Sequence, residues 1–311
     1  MKSFQFMSVG EDNKVRCIRQ THLLTFDVEH WYEGFRYRGI DGWQAFPPRD
    51  DQTVERLLNK MSETGQRSTM FFTGRYAEEF PHVVRRAARE GHEVASHSYS
   101  HRVLSRMGSI EAFREDLSRS VGVLEDTAGC KVKGYRAPKW SISDMNYLEV
   151  LNVLYEAGLE YDSSVFPNLL GGSSAVFPHQ VDLGNGTKIW EVPATTCPFF
   201  GLRLPVGGGL YFRLFPSWLM RKTLSSCESN SQPSMIYLHP YDLDASCPHL
   251  PGGNPMFQWL RYYGINETRD RLGVLLQHYK FCTVLEYLRE KENCLLKPTE
   301  RISNDQSSCS S

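Results

Sequence analysis

The chain reads as an α/β protein whose parallel strands form a sheet that is closed or nearly closed. Two observations predict this. About seven short apolar runs alternate with helix-patterned stretches for most of the 311 residues, and such alternation most simply makes a parallel α/β sheet. In addition, Asp27, His97, Arg136, Asp162 and His239 all fall at or just after the ends of those runs. Parallel barrels carry their sites at the C-terminal ends of strands.

The elements follow in order. His22-Leu23-Leu24-Thr25-Phe26-Asp27-Val28-Glu29 is a short apolar run ending in acids, which suits a buried parallel strand. Residues 33–50 read as a loop rich in glycine and proline. Val54, Leu57, Leu58 and Met61 fall at i, i+3, i+4 and i+7, the mark of a helix with one buried face, and Gly65 ends it. Ser68–Thr73 is the second strand. Pro81 opens a helix that Gly91 closes. The third strand, around Val94, leads into His97-Ser98-Tyr99-Ser100-His101. Ile110, Phe113, Leu117, Val121 and Leu124 mark a helix that Gly129 stops. Residues 132–136 form the fourth strand. Ser143 is expected to cap the next helix, which Gly158 ends. Strands five, six and seven cover 159–163, 188–193 and 234–238, the last delivering His239. Gly207-Gly208-Gly209 reads as a bend before a helix near Pro216, and residues 242–265 as irregular. Leu272, Leu275 and Leu276 lie on a long helix, and Leu285 and Leu288 on a short final one.

Composition narrows the class. The chain is 41% hydrophobic with a formal net charge of -1, which fits a well-buried globular protein and argues against nucleic acid as a partner. No run approaches ~18 apolar residues, so no transmembrane segment is expected. Met1–Gln20 has no apolar h-region, and the eight cysteines are scattered with no Cys-x-x-Cys pair. A cytoplasmic location with reduced thiols is the expectation. The expected organisation is a frayed leader over 1–20, a barrel domain over 21–291 and a disordered tail over 292–311.

The polar residues at the strand ends have a common chemistry. Two imidazoles four residues apart just past a strand can converge on one point, and neutral imidazole nitrogen binds Zn²⁺ and similar ions. His97, His101 and one carboxylate would leave a position open for water. A metal lowers the pKa of that water and polarises a carbonyl. A further carboxylate can take the water's proton, and a separate histidine can return one to a leaving amine. Arg136 could hold the base carboxylate ionised. The inventory fits metal-assisted hydrolysis of an amide.

Thr25-Phe26-Asp27, His97-Ser98-Tyr99-Ser100-His101, Arg136-Ala137-Pro138 and Leu238-His239 resemble, in order and placement, the motifs of the polysaccharide deacetylases, the NodB-homology or carbohydrate esterase 4 family. The resemblance spans roughly residues 20–290. It implies a distorted (β/α)7 barrel that removes acetyl groups from N-acetylated sugars with a divalent metal, commonly zinc. Carried over by motif, Asp27 resembles the catalytic base, Arg136 its orienting partner, and His97 and His101 metal ligands. His239 resembles the general acid, Leu238 part of the acetyl pocket, and Asp162, more loosely, an acid that tunes the catalytic histidine.

Two departures from the family pattern stand out. Val28 occupies the place of a metal-binding aspartate, and Glu29, on the face of Asp27, is the natural substitute. Trp140 stands where the pattern ends in glycine, and with Pro138 it would reshape the pocket wall. Asp27-Val28-Glu29, the stretch Gly208–Arg213 and His239-Pro240-Tyr241-Asp242 look like a branch associated with exosortase, O-antigen or exopolysaccharide gene clusters. That likeness suggests Tyr211 and Arg213 as groove residues, and Trp31 and Tyr32 could stack on a sugar.

Each of these residues also has a plainer reading. Aromatics beside strands and glycines often only pack, and Asp242 could orient His239 or simply cap its loop. Three functions stay open: a metal-dependent deacetylase of an N-acetylated sugar, oligosaccharide or glycan precursor; a cyclic-amide hydrolase of the allantoinase kind; and an inactive glycan-binding protein.

Overall fold

A computed structural model describes residues 22–167, 176–184, 186–199 and 202–296. The expected leader lies outside these residues. The barrel runs past the expected boundary at 291, because its last helix continues to Leu296; the rest of the expected tail lies outside the described residues.

Seven parallel strands form the frame: β1 (His22–Val28), β2 (Thr69–Phe72), β3 (Glu93–Ser96), β4 (Gly134–Tyr135), β5 (Tyr161–Asp162), β7 (Lys188–Glu191) and β10 (Met235–Leu238). They stand in the order β10-β1-β2-β3-β4-β5-β7, so the last of them pairs with the first. All seven fall in the runs read as strands from the sequence. The sheet curls into the (β/α)7-type barrel. Coil bridges its open seam: Met235 N–H donates to Thr195 Oγ1, and Tyr237 N–H to the Gly207 carbonyl.

Four strands were not expected. β6 (His179–Asp182) pairs antiparallel on the outer edge of β7. β8 (Cys197–Phe199) and β9 (Leu202–Leu204) make a separate hairpin. β11 (Phe281–Cys282) extends the start of β1. All are short, and the burial of β6 alternates between half-buried and exposed, so none carries the continuous apolar run of a central strand.

β1 shows how sequence period becomes architecture. All seven of its residues are buried, and alternate side chains go to opposite faces. Leu24, Phe26 and Val28 join the main core against the helices. Leu23, Thr25 and Asp27 face the barrel interior, where Leu23 packs with Phe71, Tyr161, Trp190 and Met235. Val284, Tyr287 and Leu288 of the last helix, α11 (Val284–Leu296), plug this lower layer. The polar layers sit above the plug.

The helices include α2 (Asp50–Thr64), α5 (Ile110–Ala128), α6 (Tyr147–Glu156) and α10 (Ile265–His278), each with buried residues at helical spacing. Several local expectations are corrected. Asn146, not Ser143, caps α6, its side chain accepting from Glu149 N–H, and Ser143 lies in a 3₁₀ segment instead. Residues 33–50 contain α1 (Glu33–Arg36) and a 3₁₀ turn at Trp43–Ala45. Residues 242–265 contain α9 (Pro255–Tyr262), with Pro255 at its first turn and Asn254 capping it. Gly209 begins α7 (Gly209–Leu214), ahead of α8 (Ser217–Ser229). No helix among the described residues is long and apolar enough to cross a membrane.

Candidate metal centre and active site

The middle interior layer is built on Arg136, which is fully buried just past β4. Its guanidinium donates to Asp27 Oδ1 at 2.6 Å, Thr25 Oγ1 at 3.0 Å, the Ser163 carbonyl at 3.1 Å and Ser163 Oγ at 2.9 Å. Its carbon lies 4.0 Å from the Phe71 ring centre and 4.9 Å from that of Trp140. A buried cation so fully tied has one arrangement. Burial alone would raise the Asp27 pKa. Arg136, His97 and His239 outweigh it and hold the carboxylate below its ordinary value.

The next layer is a carboxylate between imidazoles. Glu29 Oε2 faces Nε2 of both His97, at 3.7 Å, and His101, which is in closer contact. One ligand atom from each of the three residues lies within 4.8 Å of the others, and all three residues are buried. Local backbone geometry produces the convergence. Ser98 and His101 both take left-handed φ, 68° and 53°, a conformation that needs outside support in residues other than glycine. Asp116 of α5 supplies it, accepting from Tyr99 N–H at 2.8 Å and from Ser100 Oγ at 2.6 Å.

The donor set fits a divalent ion. His97 Nδ1–H donates to the Arg136 carbonyl at 2.8 Å, leaving the lone pair on Nε2. His101 Nδ1 faces Glu33 Oε2 at 3.4 Å, the carboxylate–histidine pairing common behind metal ligands. Glu29 Oε2 is buried and accepts no hydrogen bond, while Oε1 accepts from the Tyr241 hydroxyl at 3.1 Å. An orphaned carboxylate oxygen facing two imidazole nitrogens is what a metal would satisfy. Without an ion, Glu29 and His101 favour each other's charged forms. Burial would raise the Glu29 pKa, but His101 and His97 hold it well below the ordinary range. Burial would lower that of His101, but Glu29 and Glu33 raise it to about 9.

His239 completes the cleft from the end of β10, its Nε2 3.9 Å from Glu29 Oε1. Its Nδ1–H donates to Asp242 Oδ2 at 3.1 Å, and its backbone N–H to the same oxygen at 3.0 Å. Burial pushes the Asp242 pKa up, but bonds from His239 and the charge of Arg213 bring it down to about 2.

The structure thus gathers Asp27, Glu29, Arg136, His97, His101 and His239 in one place, and sets other expected site residues elsewhere. Asp162 does not serve His239: its carboxylate accepts from Ser164 Oγ at 2.6 Å and Ser164 N–H at 3.1 Å. Beside it lies Glu191 of β7, and burial raises the pKa of both acids. The acid on the imidazole is Asp242. Leu238 is fully buried in the helix-facing core, because along β10 it is Tyr237 that faces inward toward Asp27 and Arg136. Trp31 is buried with Phe35, Cys247 and Leu250. Arg213 is buried too, bonded to the Tyr263 carbonyl at 2.6 Å and paired with Asp242 at 3.3 Å. Tyr211 lines a cavity of about 310 Å³ with residues of α8 and α10, which none of the gathered groups lines. Tyr32 stays half-buried, stacked on Trp43 at 3.9 Å. Pro138 is buried, while Trp140, also at left-handed φ, is half-buried over Arg136 and edge-on to Tyr237 at 4.9 Å.

Sequence reasoning missed Glu33, Tyr241 and Glu191. Glu33 follows Glu29 by four residues, a spacing hidden by reading the segment as a loop. Glu191 had the pattern of the other strand-end acids.

Fold and site together define an α/β-barrel protein with a candidate divalent-metal centre at the C-terminal ends of its strands. Residues 19–161 match the polysaccharide deacetylase family model, and residues 163–289 match a domain of unknown function, DUF3473. Residues 19–161 thus carry a polysaccharide deacetylase domain. Among curated relatives, the peptidoglycan-N-acetylglucosamine deacetylase of Bacillus cereus is 29% identical over 150 residues, 44% of this chain and 52% of the relative. The chitooligosaccharide deacetylase of Sinorhizobium fredii is 32% identical over 103 residues, 33% of this chain and 46% of the relative. The chain thus spans about half the length of these relatives. A crystal structure from Mycobacterium smegmatis, assigned as a polysaccharide deacetylase, shares the fold with a TM-score of 0.59 at 20% identity, covering 93% of this chain and 94% of that one.

Proposed function

We propose that the protein is a metal-dependent carbohydrate N-deacetylase that removes an acetyl group from an amino sugar in a glycan or its precursor. The convergence of His97 and His101 on a buried Glu29 oxygen that accepts no hydrogen bond carries this reading. The family and the relatives named above support the substrate class. Those three residues would hold the ion, with zinc the best match to an imidazole and carboxylate set. The ion would supply an acidified water and a polarised acyl carbonyl.

Each protein group then has a defined task. Asp27, kept ionised by Arg136, takes a proton from the attacking water as its oxygen bonds to the acyl carbon. His239, oriented by Asp242, gives a proton to the sugar nitrogen as the C–N bond breaks. Acetate and a free amine leave. Arg136 touches no reacting atom and acts by fixing Asp27.

The test is elemental analysis of purified protein, followed by acetate release from tetra-N-acetylchitotetraose and from N-acetylglucosamine-containing glycan precursors. One equivalent of metal and stoichiometric acetate and amine are expected. Metal-loaded protein that releases no acetate from any N-acetylated sugar would sink the proposal.

A further inference from the structure

The tyrosine of the segment after β10 touches more of the candidate site than its place in the sequence suggests. The Tyr241 hydroxyl donates to Glu29 Oε1 at 3.1 Å. Its ring stacks on the His239 imidazole, centroids 4.6 Å apart and planes 12° apart. The Arg261 guanidinium sits 3.9 Å from the same ring centre. Arg261, buried on α9, is tied to the Trp31 carbonyl at 3.0 Å. One aromatic ring therefore joins a metal-facing carboxylate, a proton-donating imidazole and a buried cation.

Glu29 explains why such a ring matters. Its carboxylate has two equivalent oxygens and three side-chain torsions in which to place them. Tyr241 occupies Oε1, and only Oε2, which accepts no hydrogen bond, is left facing the His97 and His101 nitrogens. A hydrogen bond on one oxygen of a ligating carboxylate fixes its orientation, and such outer partners typically contribute 10–100-fold in metal affinity.

We propose that Tyr241, clamped by Arg261, is a positioning residue that holds Glu29 as a one-oxygen metal ligand. The proposal rests on the metal-centre reading above. It also gives a further task to the part of the chain matched only by a domain of unknown function. Residues 19–161 hold Glu29, His97 and His101, whereas Tyr241 and Arg261 lie in 163–289.

Tyr241→Phe keeps the ring and its stacking and removes only the donor. The experiment measures Zn²⁺ affinity of the full chain by chelator competition, and the visible spectrum of the Co²⁺-loaded protein. Wild type, Tyr241→Phe, Glu29→Gln and the Tyr241→Phe/Glu29→Gln pair are compared. The expected result is a 10–100-fold loss of affinity in Tyr241→Phe, a changed Co²⁺ spectrum, an unchanged melting temperature of the metal-free protein, and no further loss when Tyr241→Phe is added to Glu29→Gln. Wild-type affinity and spectrum in Tyr241→Phe, with affinity lost in Glu29→Gln, would overturn the positioning role and leave the metal centre standing. Full metal retention in Glu29→Gln would overturn both.

Discussion

Gly209 and Asp242 meet so closely that a side chain at 209 would overlap the Asp242 carboxylate. The glycine at the start of α7 is thus part of the seat of the acid that orients His239. Gly209→Ala should displace Asp242, which bonds both nitrogens of His239, ring and backbone. Overpacking of this kind costs roughly 1–3 kcal/mol. Acetate release should fall by about 10-fold or more, since general-acid catalysis is typically worth 10²–10⁴-fold. Zn²⁺ content should not change. Steady-state kinetics beside metal analysis checks this; loss of metal together with activity would place the effect elsewhere.

Asp27 and Arg136 should separate chemistry from stability. Asp27→Asn removes the base but keeps the shape, so turnover should drop about 10²–10⁴-fold with metal retained. Arg136→Met leaves a buried carboxylate unpaired, a loss of about 3–5 kcal/mol by general experience. Urea melts of both variants compare the two costs. Adding the double variant Asp27→Asn/Arg136→Met completes a cycle, and strictly additive losses would show that the pair is not coupled as described.

His101 gives the candidate metal centre a pH signature. Its folded pKa, raised to about 9 in the ion-free protein, exceeds the ordinary histidine value of about 6.5. The stabilisation this gives is complete below about pH 6.5 and is lost as pH rises through about 9. Metal binding must displace that proton, so apparent Zn²⁺ affinity should rise by up to about tenfold per pH unit between 7 and 9. Calorimetry in two buffers of different ionisation enthalpy counts the proton. A pH-independent affinity across that range would contradict the ligand assignment.

Trp31 should behave as a core residue. It is buried with Phe35, Cys247 and Leu250, and its carbonyl accepts from Arg261. Trp31→Ala should cost about 3–5 kcal/mol, read as a fall in melting temperature. A large rise in KM with unchanged stability would restore it to the substrate surface.

The barrel was legible because each parallel strand combines an apolar run with a polar residue at its end. That pattern picks out Asp27, His97, Arg136 and His239, which the fold gathers, and also Asp162, which it sets apart, whereas Glu29 follows from its place on the same face as Asp27. The edge strands left no such trace, being short and partly exposed. Strand alternation could have assigned Tyr237 inward and Leu238 outward, but motif likeness had pointed to Leu238. Burial separated Trp31 and Arg213 from the cleft, and sequence does not disclose whether a tryptophan or arginine has been enclosed by a distant helix. Asp242 over Asp162 was decided by one hydrogen bond across a tight turn, a matter of angstroms rather than of residue type.

The pairing of β10 with β1 joins Leu23 to Met235 across most of the polypeptide. Closing so long a span carries a larger entropic cost than pairing neighbours, which slows it relative to local contacts. During synthesis, a nascent polypeptide ending before β10 would possess both imidazoles and Glu29 but lack His239. His239 therefore joins the two imidazoles and Glu29 only once β10 has paired with β1, and the candidate site is among the last parts of the fold to be assembled.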